Sequence, residues 1–443
     1  MPVRSRGSRA KEGYHKVQDR LAKVCRPESL VLSHGYDPSR SEGALIPPIF
    51  LSSTFVFPTA EEGKRFFEIA YNLRPRRRGE KLGLIYSRLN NPDLQIPEER
   101  LTLLEQGAEA GLLFASGMAA ITTSFLALLA PGDAVVSTEP VYGGTDYLFR
   151  TILPKYRVKV RFVPSGVDRK ELVRVLNELK ASGSRPAAIF VETPANPTNV
   201  MTDIAGCVAA AREVGRGAQR PWVLVDNTFL GPLWQSPLRH HADLVLYSAT
   251  KFIGGHSDLV SGAALGRREL IDRIAVYRTI LGTMANPFDG FLVLRSLDTL
   301  TVRMKRQSET AKRVASWLVR QPQVSRVLYP GLPEDVQQRR LARRQCRGPG
   351  SLISFEVRGG ERGAFRFLNA LELVKVAVSL GGTHTLAEHP ASMTHSDVPR
   401  EERERHGISE SMVRLSIGLE DPGDLIRDLQ GALRITSRLA HKH

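Results

Sequence analysis

The chain of 443 residues is 42% hydrophobic and 24% charged, an ordinary soluble globular balance with length for two or three domains. Its net charge of +16 gathers in the first 26 positions, in RPRRRGEK at 74–81 and in QRRLARRQCR at 338–347. No zinc-finger spacing, RNP-type aromatic string or basic-zipper heptad accompanies these runs, so no nucleic-acid partner is expected. Cys25, Cys207 and Cys346 are odd in number and far apart, which excludes a disulfide framework and a Cys-x-x-Cys metal site and fits a reducing cytoplasm.

In chain order, the proline- and serine-rich start reads as an extended N-terminal arm, assigned to residues 1–70. The charge-free run GLLFASGMAAITTSFLALLAPG at 111–132 has the length of a membrane span. Ser116, Gly117, Thr122, Thr123 and Ser124 interrupt it, so it reads as a strand, a Ser-Gly turn and a core helix. From 111 to 266 short apolar runs (GLLFAS, AVVST, VKVRFVP, AAIFVET, WVLVDNT, ADLVLYSAT, SGAALG) alternate with helical patterns such as DRKELVRVLNELKAS. That alternation predicts a mostly parallel sheet covered by helices on both faces, a large domain over 71–300. After a helical stretch at 286–320, the pattern SLISFEV, GAFRFLNAL, VKVAVSL, MVRLSIG and a final helix from about 421 predicts a smaller α+β domain over 301–443.

Parallel sheets bind ligands at the carboxyl ends of their strands, and the unusual residues collect there. Ser116-Gly117-Met118 follows one strand, ETPANPT another, Asp226 a third and Ser248 to Lys251 a fourth. A buried lysine loses solvation of its charged form and becomes a nucleophile or base. Pyridoxal phosphate requires such a lysine, an acid facing its ring nitrogen, a phosphate cradle and a surface against its ring. Lys251 supplies the first and Asp226 the second. The amides after Ser116 at a helix start, with the hydroxyls of Ser248 and Thr250, supply the third. Singly each signal is weak; their joint order carries the reading.

With YSRLNNP at 86, FASGMAA at 114, VYGGT at 141, ETPANPTN at 192, VDNTF at 225, YSATKFIGGHSD at 247, SLGG at 379, HPASMTH at 389 and VRLSIGLED at 413, the chain resembles the Cys/Met-metabolism family of pyridoxal-phosphate enzymes over about residues 45–436. That family includes cystathionine γ-synthase, cystathionine γ-lyase, methionine γ-lyase and O-acylhomoserine sulfhydrylase. The resemblance implies an α/β, aspartate-aminotransferase-like fold (PLP fold type I) and pyridoxal 5'-phosphate as cofactor. It implies that Tyr86 and Arg88 reach the phosphate in a neighbouring subunit's site, making a homo-oligomer, a dimer of dimers. Tyr142 resembles the tyrosine that stacks on the cofactor and exchanges a proton, Asn196 the residue near its phenolic oxygen, and Arg414, with Ser379, the clamp on the substrate carboxylate.

The implied reaction is γ-elimination from a methionine-, homocysteine- or cystathionine-like amino acid, giving a 2-oxo acid and ammonia. The alternative is γ-replacement, as in cystathionine γ-synthase or O-acylhomoserine sulfhydrylase; a third reading is a binding protein that keeps the fold without the chemistry. Cystathionine-handling relatives tend to carry carboxylates where this chain has Ile85 and Val378, so an uncharged distal end is expected. Methionine γ-lyases usually have a cysteine where this chain has Gly144. The segment 61–84 is longer than expected before YSR and reads as a solvated loop or as a basic lid. The spacing of His384, His389 and His395 fits no helical zinc pair, so no metal is expected.

Overall fold

The computed structural model describes residues 24–438 apart from 71, 72, 76, 78, 79, 81, 333 and 334. The basic cluster of the first 23 positions, and Arg76, Arg78, Gly79 and Lys81 of the second basic run, lie outside the described residues. Seven strands make the large sheet: β1 (Ala110–Phe114), β2 (Asp133–Glu139), β3 (Lys159–Pro164), β4 (Arg185–Glu192), β5 (Trp222–Asp226), β6 (Leu244–Ser248) and β7 (Gly262–Gly266). Their order is β1-β7-β6-β5-β4-β2-β3. Strand β7 is antiparallel to both its neighbours, and the pairs from β6 to β3 are parallel.

The apolar runs are continuous because both faces are covered, and alternate residues serve opposite cores. Val136, Ile189, Val191, Val223, Val225 and Val245 belong to one cluster, whereas Val135, Ala188, Phe190, Leu224, Leu244 and Leu246 belong to the other. The longer helices are α1 (Ala60–Ala70), α2 (Pro92–Leu104), α3 (Gly117–Leu128), α4 (Arg169–Ala181), α5 (Ile204–Val214), α6 (Arg268–Leu281), α7 (Pro287–Leu297), α8 (Leu300–Leu318), α9 (Val336–Gln345), α10 (Gly360–Asn369) and α11 (Pro422–Arg438). Helices α3 and α6 cover the second cluster through Ile121, Phe125 and Ile274. Helices α4 and α5 cover the first through Leu172, Leu176 and Val208.

A second sheet holds β8 (Val324–Leu328), β9 (Leu352–Val357), β10 (Lys375–Val376), β11 (Leu386–Glu388) and β12 (Met412–Ser416), ordered β10-β11-β12-β9-β8. The expected strand VKVAVSL shrinks to two residues, and Ser379, three residues further on, takes φ +106°. The helical stretch 286–320 divides at Asp298-Thr299. Arg303 fills the break, donating to the carbonyls of Ser296 (2.8 Å) and Phe252 (2.9 Å). Part of the long segment before YSR is helix α1, whose Phe66 packs edge-on against Phe57 at 5.8 Å.

Helices α2 and α7 meet closely at Gly290, where an added Cβ would lie 2.2 Å from the Asp93 carbonyl. Gly290→Ala is expected to destabilise the fold by about 1–3 kcal/mol. Gly431→Ala, in α11, meets nothing within 4 Å and should be neutral or stabilising by up to about 1 kcal/mol. Thermal unfolding of the two variants side by side checks the contrast.

Candidate active site

A cavity of about 740 Å3 opens at the carboxyl edge of the large sheet and reaches β12 of the small one. Ser116 caps α3, its Oγ accepting from Ala119 N at 3.0 Å. The amides of Gly117 and Met118, in the helix's first turn, have no helical carbonyl to meet. A Cβ at Gly117 would fall 2.9 Å from Ser248 Cβ and 3.2 Å from its Oγ. The glycine thus brings two free amides beside a hydroxyl, a cradle suited to a phosphate. Thr250 lines the same cavity, but its hydroxyl donates to Ser261 O (3.1 Å) and accepts from Ser261 N (2.9 Å). Its proton is committed to the turn into β7.

Two carboxyls are buried side by side at the ends of paired strands, Glu192 on β4 and Asp226 on β5. Glu192 accepts from the amides of Tyr142 (2.8 Å) and Asn196 (2.9 Å), so it shapes both loops. Asp226 accepts from Thr228 N at 2.9 Å. Burial pushes both carboxyls up, and Asp226 adds to the rise at Glu192. A cation set against Asp226 favours its ionised form.

Lys251 follows β6, and its Nζ donates to Ser379 Oγ at 2.9 Å. Burial, then the charge of Arg414, lowers its pKa to about 8 from 10.5, against the opposing pull of Glu388. The loop carrying Ser379 lies directly on this lysine. A Cβ on Gly381 (φ +77°) would sit 2.6 Å from Phe252 N and 3.0 Å from Lys251 C, so only glycine permits the approach. Arg414, 3% exposed, donates to Asn196 Oδ1 (2.8 Å) and Ser379 O (3.0 Å) and pairs with Glu388 at 3.0 Å. Its Nε and Glu388 Oε2 are buried without hydrogen-bond partners.

Tyr142 projects into the cavity and is 47% exposed. At Gly144 a Cβ would stand 2.8 Å from Tyr142 Cε1 and 3.1 Å from Met118 Sδ; a cysteine there would press on the tyrosine ring. Tyr86 and Arg88 do not line this cavity. Arg88 donates to Thr279 O at 3.1 Å, and Tyr86 is 40% exposed. Val378 lies at the cavity, as does the exposed carboxylate of Asp397, while Ile85 is buried within its own chain.

Glu192, Glu388 and Thr228 were not singled out by sequence reasoning. Glu192 opens the ETPANPT motif, but nothing in the string shows two amides converging on it. Glu388 stands in a segment whose histidines drew the attention instead. Of those, His389 is engaged by Ser392 Oγ (2.8 Å) and Glu410 O (3.0 Å).

An amine of lowered pKa, a buried acid and an anion cradle around one cavity fit pyridoxal phosphate, and the fold and site are those of an enzyme dependent on it. The chain belongs to the Cys/Met metabolism PLP-dependent enzyme family, whose profile matches residues 28–434. It is 43% identical to the L-methionine gamma-lyase of Pseudomonas putida over 408 residues, 92% of this chain and 96% of that one. It is 38% identical to the cystathionine gamma-lyase of Bos taurus over 402 residues, 90% of this chain and 91% of that one. The crystal structure of cystathionine gamma synthase from Xanthomonas oryzae pv. oryzae in complex with cystathionine superposes with a TM-score of 0.83 at 36% identity, covering 94% of this chain and 99% of that chain.

Because burial lowers the Lys251 pKa to about 8, the neutral amine predominates above that pH. The rate at which cofactor-free protein takes up pyridoxal phosphate should rise with pH and level off above about 8. A rise continuing toward 10.5, the ordinary lysine value, would show the amine to be solvated.

Proposed function

We propose that the protein catalyses γ-elimination from a sulfur-containing or otherwise γ-substituted amino acid, releasing a 2-oxo acid and ammonia. The observation that carries this reading is the meeting of Lys251 Nζ, Ser379 and Arg414 at one cavity. The similarity to L-methionine gamma-lyases and cystathionine gamma-lyases supports it. Pyridoxal phosphate, when bound, supplies an electron sink for the electrons of a broken bond to Cα.

The chain's residues have separate tasks in this scheme. Lys251 would anchor the cofactor and, as a free amine, would take the α-proton at Nζ. Asp226 would hold the ring nitrogen, and its burial would strengthen that charge pairing. The amides of Gly117 and Met118, with the Ser248 hydroxyl, would hold the phosphate, while Thr250, its proton committed to Ser261, shapes the wall beside them. Tyr142 would cover the ring, and its hydroxyl would donate a proton to the departing γ-group. Arg414 binds the substrate carboxylate, its unsatisfied Nε being a donor in reserve. Asn196 orients that arginine through Oδ1.

A homo-oligomer and a cytoplasmic setting belong to the same proposal. Leu45, Leu51 and Val56 of the arm are 83%, 66% and 94% exposed, apolar surface that a second copy would cover. Tyr86 and Arg88, remote from their own chain's cavity, fit a role in a neighbour's. No described helix is long and apolar enough to cross a membrane, and the three cysteines are unpaired.

Val378 at the cavity suits the uncharged distal end of methionine, and Asp397, at the same cavity, can meet the distal ammonium of cystathionine, which stands as a second candidate. Turnover of methionine, homocysteine and cystathionine, with and without an added thiol, tests the main reading. 2-Oxo acid and ammonia without the thiol are expected, whereas thioether with little oxo acid means γ-replacement. Lys251→Ala should abolish turnover with every substrate. Asp226→Asn should lower kcat by at least about 100-fold while cofactor is retained; full activity would remove Asp226 from the role. Asp397→Asn should raise KM for cystathionine several-fold and leave that for methionine unchanged.

A further inference from the structure

A second cavity, of about 870 Å3, lies between α8, β8 and α9 and shares no lining residue with the first. Its described walls carry Lys312, Arg320, Arg326, Arg339, Arg343 and Arg347 and no acidic residue. Two described carboxylates of adjoining segments are already placed. Asp335 caps α9 at the amides of Gln337 and Gln338, and Glu356 accepts from Ser409 Oγ at 3.1 Å and lies 3.4 Å from Ser325 Oγ.

Lys312, Arg320 and Arg343 make no ion pair with any described residue, and all three are exposed. Arg344, beside Arg343, points instead to Asp203 at 2.6 Å. Arg339 and Arg343 stand four residues apart on one face of α9, an arrangement in which like charges repel. An anion in the cavity would offset the charge of Lys312, Arg320 and Arg343. Guanidinium forks match phosphate oxygens two at a time, and the volume is that of a small-molecule pocket.

The walls are held in place independently of any occupant. Gln338 of α9 bonds both to Met201 N (2.8 Å) and Met201 O (3.0 Å), and Gln345 bonds to Ile204 N (3.0 Å) and Thr202 O (3.1 Å). On α8, Gln307 donates to Gly382 O at 2.7 Å. A site fixed in this way loses little freedom on binding. We propose that this cavity binds a small polyanion carrying two or more phosphate groups, at a site separate from the catalytic one.

The test is titration of the cofactor-loaded enzyme, whose own phosphate cradle is filled, with inorganic tripolyphosphate and with ATP at low and at physiological salt. One saturable site per chain is expected. Arg320→Glu/Arg343→Glu should weaken it at least tenfold with turnover unchanged, and Arg320→Gln/Arg343→Gln should fall between. The control Arg161→Glu/Arg362→Glu, an equal charge change elsewhere, should weaken it less than threefold. Equal affinity for the two probes assigns the site to the phosphate chain alone; tighter ATP binding adds a nucleoside contact. Absence of saturable binding to either probe at low salt, an equal loss in the control, or preference for a duplex oligonucleotide over tripolyphosphate would overturn the proposal.

Discussion

Arg414 carries its charge on a central strand of the small sheet, yet it is almost wholly enclosed. An unpaired charge there would be very costly, and removing one partner of such a pair typically costs about 3–5 kcal/mol. The structure surrounds it with Glu388 from the neighbouring strand, Asn196 from the loop after β4 and the Ser379 carbonyl. Those partners come from both sheets. Satisfying one arginine therefore fixes the small sheet against the carboxyl edge of the large one, and the cavity is the space between.

The same burial sets the chemistry of the neighbouring groups. Lys251 is pushed toward its neutral form by desolvation and by Arg414, while Asp226 and Glu192 are pushed up by desolvation. An amine made neutral and acids made reluctant to ionise await an opposite charge. Close backbone approach completes the arrangement. Gly117 lets Ser248 lie against the first turn of α3, and Gly381 lets the Ser379 loop rest on Lys251.

The second cavity obeys a different rule. At the catalytic edge Arg414 faces Glu388 and Glu192 accepts from two amides, whereas the walls between α8 and α9 bring together Lys312, Arg320 and Arg343, which have no ion pair with any described residue. The basic segment at 338–347 reads in the sequence as one run of charge. Folding divides it, since Gln338, Arg344 and Gln345 serve the segment 201–204 and Asp203, Arg347 donates to Ser236 Oγ, and Arg339 and Arg343 line the cavity.

Much of the site was legible in the string. Strand-terminal Asp226, Ser116-Gly117 before a helix, and Ser248 to Lys251 follow from apolar runs ending in polar residues, because a parallel sheet brings all its carboxyl ends to one edge. Long family motifs added Tyr142, Asn196, Ser379 and Arg414. What the sequence by itself determined was therefore fold class and cofactor, which follow from local pattern, and, through resemblance to the family's motifs, the reaction family. Only tertiary structure decided that Thr250 spends its proton on Ser261, that Glu192 braces two loops, that Glu388 pairs with Arg414, and that Asp397 stands at the cavity while Ile85 is buried. Each of these is a long-range meeting of polar groups, fixed by how the elements pack and carrying no periodicity of its own.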